Sequence, residues 1–388
     1  MNVFQTDAWV QRKLGEVADI FDGTHQTPKY TETGVMFLSV EDITTLHSEK
    51  FISIEDFEKE FKNFPVRGDI LMTRIGDIGT ANVVRTDKKI AYYVSLALLK
   101  PKEIDSDFIA TIISSDSVKT EMWQRTLHVA FPKKINLGEI SKVALVLPKD
   151  RPEQTAIGNF FHSLDNTITL HKRKLDRFKE LKMAYLQQMF PQSGESVPRL
   201  RFAGFVGDWE VCKLGNIAEF NPRSVVPNSF EYVDLESVVG TSLISYRTEN
   251  KETAPSRAQR LAKKGDVFFQ TVRPYQMNNY LFELPFDNFV FSTGYAQLRP
   301  QIDSYFLLCK LQEKNFVTKV LDRCTGTSYP AINSTDLAEI DIGIAYDEAE
   351  QIAVGSFFRN LDKQITTQQA KLDRLKQLKQ AYLQKMFV

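Results

Sequence analysis

The stretch LDRFKELKMAYLQQMF at residues 175–190 is written a second time as LDRLKQLKQAYLQKMF at residues 372–387. With the offset of 197 residues held without gaps, residues 153–190 and 350–387 agree at 23 of 38 positions. Similarity that keeps one fixed offset over so long a stretch indicates an internal duplication.

A weaker repeat opens each half, with WVQRKLGEVA at 9–18 and WEVCKLGNIA at 209–218. Between these repeats the halves share only short islands, such as an aromatic residue before proline at 131–132 and 329–330. The segment between the halves is rich in Pro, Gly and Ser, which is typical of a linker. The predicted organisation is a first body at 1–150, a helix at 151–191, a linker at 192–208, a second body at 209–347 and a second helix at 348–388.

Each repeated helix carries a seam whose residues recur at alternating intervals of four and three, which is heptad spacing and requires a partner helix. The simplest partner is the other copy, and two copies separated by a compact body would pair antiparallel about a pseudo-two-fold axis. A helix of this length spans roughly 57 Å, enough to hold two bodies at a fixed distance. The residues predicted to pair the helices or bind a partner are Leu164, Ile168, Leu175, Phe178, Tyr185, Leu361, Ile365, Leu372, Leu375 and Tyr382.

One seam position is polar in both copies, His171 in the first helix and Gln368 in the second. It fits either a solvated edge of the seam or a buried polar layer that disfavours slipped helix registers. A metal ligand is the least favoured interpretation of His171, because the five histidines are scattered without ligand spacing.

Each body mixes strand-like and helix-like runs, so the predicted fold class is α+β, with two α/β domains joined by the antiparallel helices. Strands are predicted at 68–76, 142–148, 265–272 and 340–346, and single helices at 107–125 and 304–322.

Loops in matching places of the two bodies are rich in polar, basic and aromatic residues. These loops are 22–30, 73–85 and 128–136 in the first body and 221–227, 270–279 and 323–333 in the second. Such residues make ordinary turns, but Arg, Asn, Gln and Lys also read base edges and phosphates. The combination of a repeated scaffold with differing loops favours a reader of two DNA sequences. The candidate DNA-binding residues are Arg74, Asn82, Lys133, Lys134, Asn136, Arg273, Tyr275, Gln276, Asn278 and Asn333.

Catalytic signatures are missing from the sequence. It contains no GxxxxGK[ST] nucleotide loop, no Asn/Asp-Pro-Pro-aromatic methyltransferase motif and no metal-ligand spacing. We therefore predict no catalytic residues, no metal site and no cofactor of the chain's own.

Charge sets a limit on DNA affinity. The formal net charge is zero, residues 153–190 carry +2 and residues 350–387 carry +4, so the remainder carries −6. Phosphate affinity of the bodies alone should be modest, unless basic residues cluster or a partner supplies positive surface.

The expected location is the cytoplasm. Residues 1–10 lack a signal-peptide pattern, no apolar run could span a bilayer, and the three cysteines form no CxxC pair.

The helix region and the repeat that follows it resemble one known family. EQTAIGNFFHSLDNTITLHKRKLDRFKELKMAYLQQMFP at 153–191, followed by residues 195–220, is similar to the central conserved region of specificity subunits of type I restriction-modification systems. Residues 350–387 resemble their second conserved region, and residues 9–20 the start of their first recognition domain.

The resemblance implies a non-catalytic subunit that binds double-stranded DNA with a bipartite target. It implies two modification subunits, which bind S-adenosylmethionine and methylate adenine, and two restriction subunits, which use ATP and Mg. Two other functions stay open from the residues alone, an autonomous methyltransferase or nuclease and an adaptor that reads no DNA.

Overall fold

The computed structural model describes residues 9–326 and 328–387, which fold as two compact units. Unit 1 contains the chain up to Lys172 together with the segment from Ala370 onward, and unit 2 is Arg173–Gln369. Each unit is α+β, which confirms the predicted fold class. No described helix is long and apolar enough to cross a membrane. The signal-peptide prediction concerns mainly residues 1–8, which lie outside the described residues.

Unit 1 is built on two four-stranded sheets and a two-stranded one. Its strands are β1 Val10–Lys13, β2 Ala18–Asp22, β3 Tyr30–Thr31, β4 Val35–Leu38, β5 Phe51–Ile52, β6 Ile70–Thr73, β7 Ala81–Val83, β8 Ile90–Tyr92, β9 Leu96–Pro101 and β10 Ala144–Leu147. Its helices are α1 Leu14–Val17, α2 Ile54–Glu60, α3 Ser106–Ile113, α4 Asp116–Gln124, α5 Leu137–Ile140 and the first part of α6 Arg151–Gln188. The sheet orders are β2-β9-β6-β7, β3-β5-β4-β8 and β1-β10.

Unit 2 repeats this plan with additions. Its strands are β11 Glu210–Lys213, β12 Ala218–Phe220, β13 Ser229–Val233, β14 Val238–Val239, β15 Ser242–Leu243, β16 Arg247–Asn250, β17 Ala258–Leu261, β18 Val267–Gln270, β19 Tyr280–Leu281, β20 Phe289–Ser292, β21 Tyr295–Pro300 and β22 Asp341–Ile344. Its helices are α7 Ser304–Leu311, α8 Lys314–Leu321, α9 Ser334–Ala338 and the first part of α10 Glu348–Met386. The sheet orders are β12-β21-β18-β19, β16-β13-β20-β17, β11-β22 and β14-β15.

The predicted strands in the middle of each body each begin with three apolar residues, because both of their faces are covered. In β6, Ile70 and Met72 pack into one core of unit 1, and Leu71 packs into the other. In β18, Phe269 and Phe268 divide in the same way between two cores of unit 2. The four predicted strands are therefore confirmed, as β6, β10, β18 and β22, each somewhat shorter than predicted.

The prediction of single helices at 107–125 and 304–322 was wrong, because each is two helices. Ser115 has extended backbone angles and its hydroxyl accepts a bond from Val118 N, so a new helix, α4, begins there. Glu313 takes the same extended conformation before α8. Four consecutive polar residues, at 114–117 and at 312–315, interrupt the apolar pattern at the two breaks.

The two long helices pair antiparallel inside each unit, as predicted. In unit 1, Lys379 Nζ lies 2.5 Å from Asp165 Oδ1. In unit 2, Lys182 Nζ lies 2.6 Å from Asp362 Oδ1, and these two residues are the repeat counterparts of the first pair. Each unit thus holds the same pairing with the two helices exchanged, which is the pseudo-symmetry expected of the duplication.

Aromatic contacts between the helices repeat in the same exchanged way. Phe160 and Tyr382 have ring centroids 5.0 Å apart, edge to face. Their counterparts Phe357 and Tyr185 have centroids 5.0 Å apart in the same geometry. Such pairs add about 0.5–1.5 kcal/mol beyond the area they bury.

Each long helix packs closely against its body at a glycine. The Asp105 carboxylate caps α3 by accepting from Phe108 N at 2.9 Å, and a Cβ at Gly158 of α6 would overlap that carboxylate. Asp303 caps α7 in the same manner beneath Gly355 of α10. Glycine is therefore required here by close approach, in the interior of a helix where it otherwise costs stability.

The predicted linker packs onto unit 2. Arg201 makes a two-pronged ion pair with Glu350 at the start of α10, with both N–O distances at 2.7 Å. The Glu350 side chain is 1% exposed and also accepts a bond from Trp209 Nε1. By contrast, Arg199 pairs with Glu195 at an exposed position.

We expect Arg201→Ala to lower the free energy of unfolding of unit 2 by about 3–5 kcal/mol, because it leaves the Glu350 carboxylate buried without its cation. The matched control Arg199→Ala should cost less than about 1 kcal/mol, since that pair is exposed. Urea unfolding followed by tryptophan fluorescence measures both. Equal, small losses would mean that the Glu350 carboxylate is hydrated.

Candidate nucleic-acid interface

In unit 1, two of the predicted loops are held side by side by backbone hydrogen bonds. The loop that follows β6 pairs with the segment 127–135. Ile135 N donates to Arg74 O at 3.0 Å, and Gly76 N donates to Lys133 O at 2.8 Å. Residues 74–80 and 127–135 are called loop pair 1.

Unit 2 builds the same arrangement with different side chains. Ile332 N donates to Thr271 O at 3.0 Å, and Arg273 N donates to Pro330 O at 2.8 Å. Each of these four residues is the 197-offset counterpart of one in unit 1. Residues 271–279 and 325–332, described except for position 327, are called loop pair 2.

The third predicted loop of unit 1 also reaches its loop pair, whereas that of unit 2 contacts a residue just beyond loop pair 2. Asp22, where the 22–30 loop begins, lies with its Oδ1 2.5 Å from Arg74 Nη1. In unit 2, Asn221 Nδ2 donates to Ser334 Oγ at 2.9 Å, beside the predicted residue Asn333. The structure therefore brings the three predicted loops of unit 1 together, and in unit 2 it joins two of them and places the third beside Asn333.

Arg74 points inward. Its side chain is 7% exposed, and besides the Asp22 pair it donates to the carbonyl oxygens of Ile135 and Val94. These bonds join the sheet end to both neighbouring loops. The structure thus gives Arg74 a positioning contact, and its predicted contact with DNA stays a prediction.

Asn82 is likewise engaged within the protein. Its Nδ2 donates to the carbonyl oxygens of Ile43 and Thr44, at 3.0 and 3.1 Å. It lines a cleft of about 310 Å³ in unit 1 that also contains Arg85 and His162.

Three predicted residues of unit 1 are exposed. Lys133 Nζ lies 4.3 Å from the centroid of the Trp123 ring, and Lys134 and Asn136 also face solvent. Asn136 precedes α5, but its side chain makes no cap hydrogen bond. The cation–π contact holds Lys133 on the surface without neutralising it.

In unit 2, Arg273 and Met277 adopt left-handed backbone angles, with φ of 53° at both, on either side of a 3₁₀ turn at Pro274–Gln276. This conformation costs a non-glycine residue roughly 1–2 kcal/mol. It is held by the bond from Arg273 N to Pro330 O, and it directs the guanidinium over the Tyr329 ring, 4.5 Å from the centroid. Strain of this kind concentrates at functional loops.

The other predicted residues of unit 2 differ in whether their side chains are free to contact a ligand. Tyr275 is 49% exposed, whereas Gln276 Oε1 accepts from Gln270 Nε2 at 2.8 Å. Asn278 Oδ1 accepts from Gly240 N at 2.8 Å, and Asn333 caps α9 by accepting from Asp336 N at 2.7 Å. Asn278 and Asn333 thus hold the backbone with the oxygens that could otherwise accept from a base.

Two exposed rings of the loop pairs are not among the predicted DNA-binding residues. Phe131 is 102% exposed and Tyr329 is 63% exposed. The sequence signal for both is the aromatic–proline pair that the two halves share.

Along the inner face of the helices, the predicted helix-pairing residues are in turn buried and half-buried. Leu164, Leu175, Leu361 and Leu372 are buried, and their seam neighbours are half-buried, except for Tyr382 at 37% exposure. At the polar seam position, Gln368 is 5% exposed and His171 is half-buried. The burial of Gln368 favours a polar layer over a solvated edge. Their roles in partner binding stay predictions.

No group of three or more His, Cys, Asp or Glu side chains that could hold a metal ion occurs in the part of the chain that the structure describes.

Comparison with known families decides what these two loop-bearing units are. The model for the type I restriction modification DNA specificity domain matches twice, at residues 6–180 and 207–377. The chain belongs to the type I restriction-modification specificity family. The two matches cover both units, so the duplication read from the sequence is a duplication of this specificity domain.

Individual relatives of the specificity chain are distant. It is 23% identical over 192 residues to the type I restriction enzyme HindI specificity subunit of Haemophilus influenzae, a match that spans 47% of this chain and 41% of that relative.

Solved structures share the fold over nearly the whole length. The crystal structure of the S subunit from M. genitalium has a TM-score of 0.68 at 15% identity, covering 100% of this specificity chain and 98% of its own. A structure concerned with complex assembly and conformational transition of the type I R-M system has a TM-score of 0.52 at 15% identity, with 98% of both chains covered.

For Arg74, the geometry predicts a structural effect. Arg74→Ala should lower the free energy of unfolding of unit 1 by about 2–3 kcal/mol, because Asp22 loses its buried donor. The control Lys134→Ala, at an exposed position, should change it by less than about 0.5 kcal/mol. Thermal and urea unfolding of the full specificity chain measure both. If Arg74→Ala is as mild as its control, Arg74 does not position the loops.

Proposed function

We propose that this chain is the non-catalytic DNA-specificity subunit of a type I restriction-modification enzyme. Unit 1 reads one half of a bipartite double-stranded target and unit 2 reads the other. The paired helices set the gap between the halves and dock two modification subunits, which carry S-adenosylmethionine. Two restriction subunits, which use ATP and Mg, join through them.

One observation supports this proposal above the rest. The same loop pair is built twice, with matching backbone hydrogen bonds, yet the side chains it displays differ between the units. A scaffold kept constant under changing side chains suits the recognition of two different short sequences, because base contacts give specificity while the backbone fixes the register. An adaptor that reads no DNA gives no reason for the difference.

Charge supports a role for the partners in binding. Residues outside the two repeated helices carry a net charge of −6. Association with DNA is driven largely by release of counterions from phosphates, so this chain alone should bind duplex weakly. The modification subunits are then expected to supply most of the positive surface.

The direct test is to express the chain with its modification subunits and to map methylated adenines in the host DNA. The proposal expects one bipartite target with a constant gap. A chain that methylates DNA by itself with S-adenosylmethionine would instead be an autonomous enzyme. An assembly that binds random duplex pools without preference would be an adaptor.

For single residues, we expect Arg273→Ala to weaken binding of the cognate target by about 1–3 kcal/mol and to relax one position in the half read by unit 2. The control is Arg257→Ala, an exposed arginine outside loop pair 2. Methylation profiling on targets altered at each position provides the measurement. Equal weakening on every sequence, with a shallower salt dependence, would identify Arg273 as a phosphate contact.

A further inference from the structure

Each unit presents one aromatic ring at the tip of its loop pair, directly before a proline. Phe131 is 102% exposed and the neighbouring Val129 is 100% exposed, while Tyr329 is 63% exposed. In both units the ring directly precedes a proline in the second segment of the loop pair, although at the offset of 197 residues Tyr329 is the counterpart of Pro132.

A backbone hydrogen bond closes the segment that carries each ring. In unit 1, Leu127 N donates to Lys134 O at 2.8 Å, closing the segment below Phe131. In unit 2, Thr325 N donates to Ala331 O at 2.9 Å below Tyr329. Proline after each ring restricts the backbone further. A backbone restrained in this way loses less conformational entropy when its ring binds.

Positive charge lies beside each ring. Lys133 and Lys134 follow Phe131, and no salt bridge to either appears among the described residues. The Arg273 guanidinium stacks on Tyr329 itself. A flat apolar surface beside cations complements a ligand that combines stacked bases with phosphates, whereas a purely apolar protein surface would leave the cations unpaired.

We propose that Phe131 and Tyr329 are wedge residues, each of which inserts at one base step in its half of the DNA target. This inference rests on the proposed function and adds the manner of contact. Insertion of an apolar ring unstacks the step and kinks the duplex. Pyrimidine–purine steps deform most readily, so each half of the target should carry a TA or CA step where its ring enters.

The test uses the full chain assembled with its modification subunits, without S-adenosylmethionine, on the mapped target. 2-Aminopurine is placed in turn at each purine except the methylated adenine, and its fluorescence reports unstacking. We expect one responsive step in each half. Phe131→Ala should remove the response in one half only, and Tyr329→Ala in the other. Each variant should weaken DNA binding about tenfold to a hundredfold.

Matched variants separate a wedge from a general surface effect. Phe131→Leu and Tyr329→Phe should keep the response, because both retain an apolar wedge. Tyr346→Ala, at a 79% exposed tyrosine outside the loop pairs, should leave the response and the affinity unchanged. Unfolding curves of all variants should match the unsubstituted chain, since these rings are exposed.

Two failures are distinguishable. If the assembly prefers a bipartite target but shows no unstacked step, or if both alanine variants leave the responses intact, the wedge is refuted and the proposed function stands. If the alanine variants abolish assembly with the modification subunits, the rings are a protein contact and the wedge is also refuted. If no bipartite target exists, both proposals fall.

Discussion

A helix of nearly forty residues with one apolar seam is stable in water only when another surface covers that seam. In this chain the cover is the second copy of the same helix, and the ion pairs Lys379–Asp165 and Lys182–Asp362 fix its direction. The two pairs are one interaction used twice, because each lysine and each aspartate has its counterpart 197 residues away. A parallel alignment would separate every one of these partners, so the antiparallel order decides which residues each unit contains.

Much of the fold could be predicted because local periodicity and the internal repeat specify it. The seam gave the long helices, their lengths and their antiparallel pairing, and continuous apolar runs gave the central strands. The breaks at Ser115 and Glu313 were missed, although four consecutive polar residues mark each of them. The parallel pairing of β4 with β8 and of β13 with β20 joins segments far apart in the chain, and no local pattern specifies such partners.

The candidate interface could also be predicted only in part. Loop composition and matching position identified the loops that the structure brings together. Which side chains remain available to a ligand could not be predicted, because that depends on distant partners. Arg74 is turned inward by Asp22, which precedes it by 52 residues, and Asn278 is held by the amide of Gly240. The exposure of the Phe131 and Tyr329 rings is likewise set by the folded loops and not by local sequence, and the Arg273 guanidinium lies over one of them, Tyr329.

The two close contacts between a helix glycine and a capping aspartate have an evolutionary consequence. Asp303, which receives Gly355, is in the same unit as the helix segment it supports, and Asp105 stands in the same relation to Gly158. Neither contact depends on which side chains the loop pairs display. A recombination event that replaces one body with a homologue carrying its own capping aspartate would therefore yield a chain that still folds. New combinations of loop pairs can arise by such shuffling in a single step.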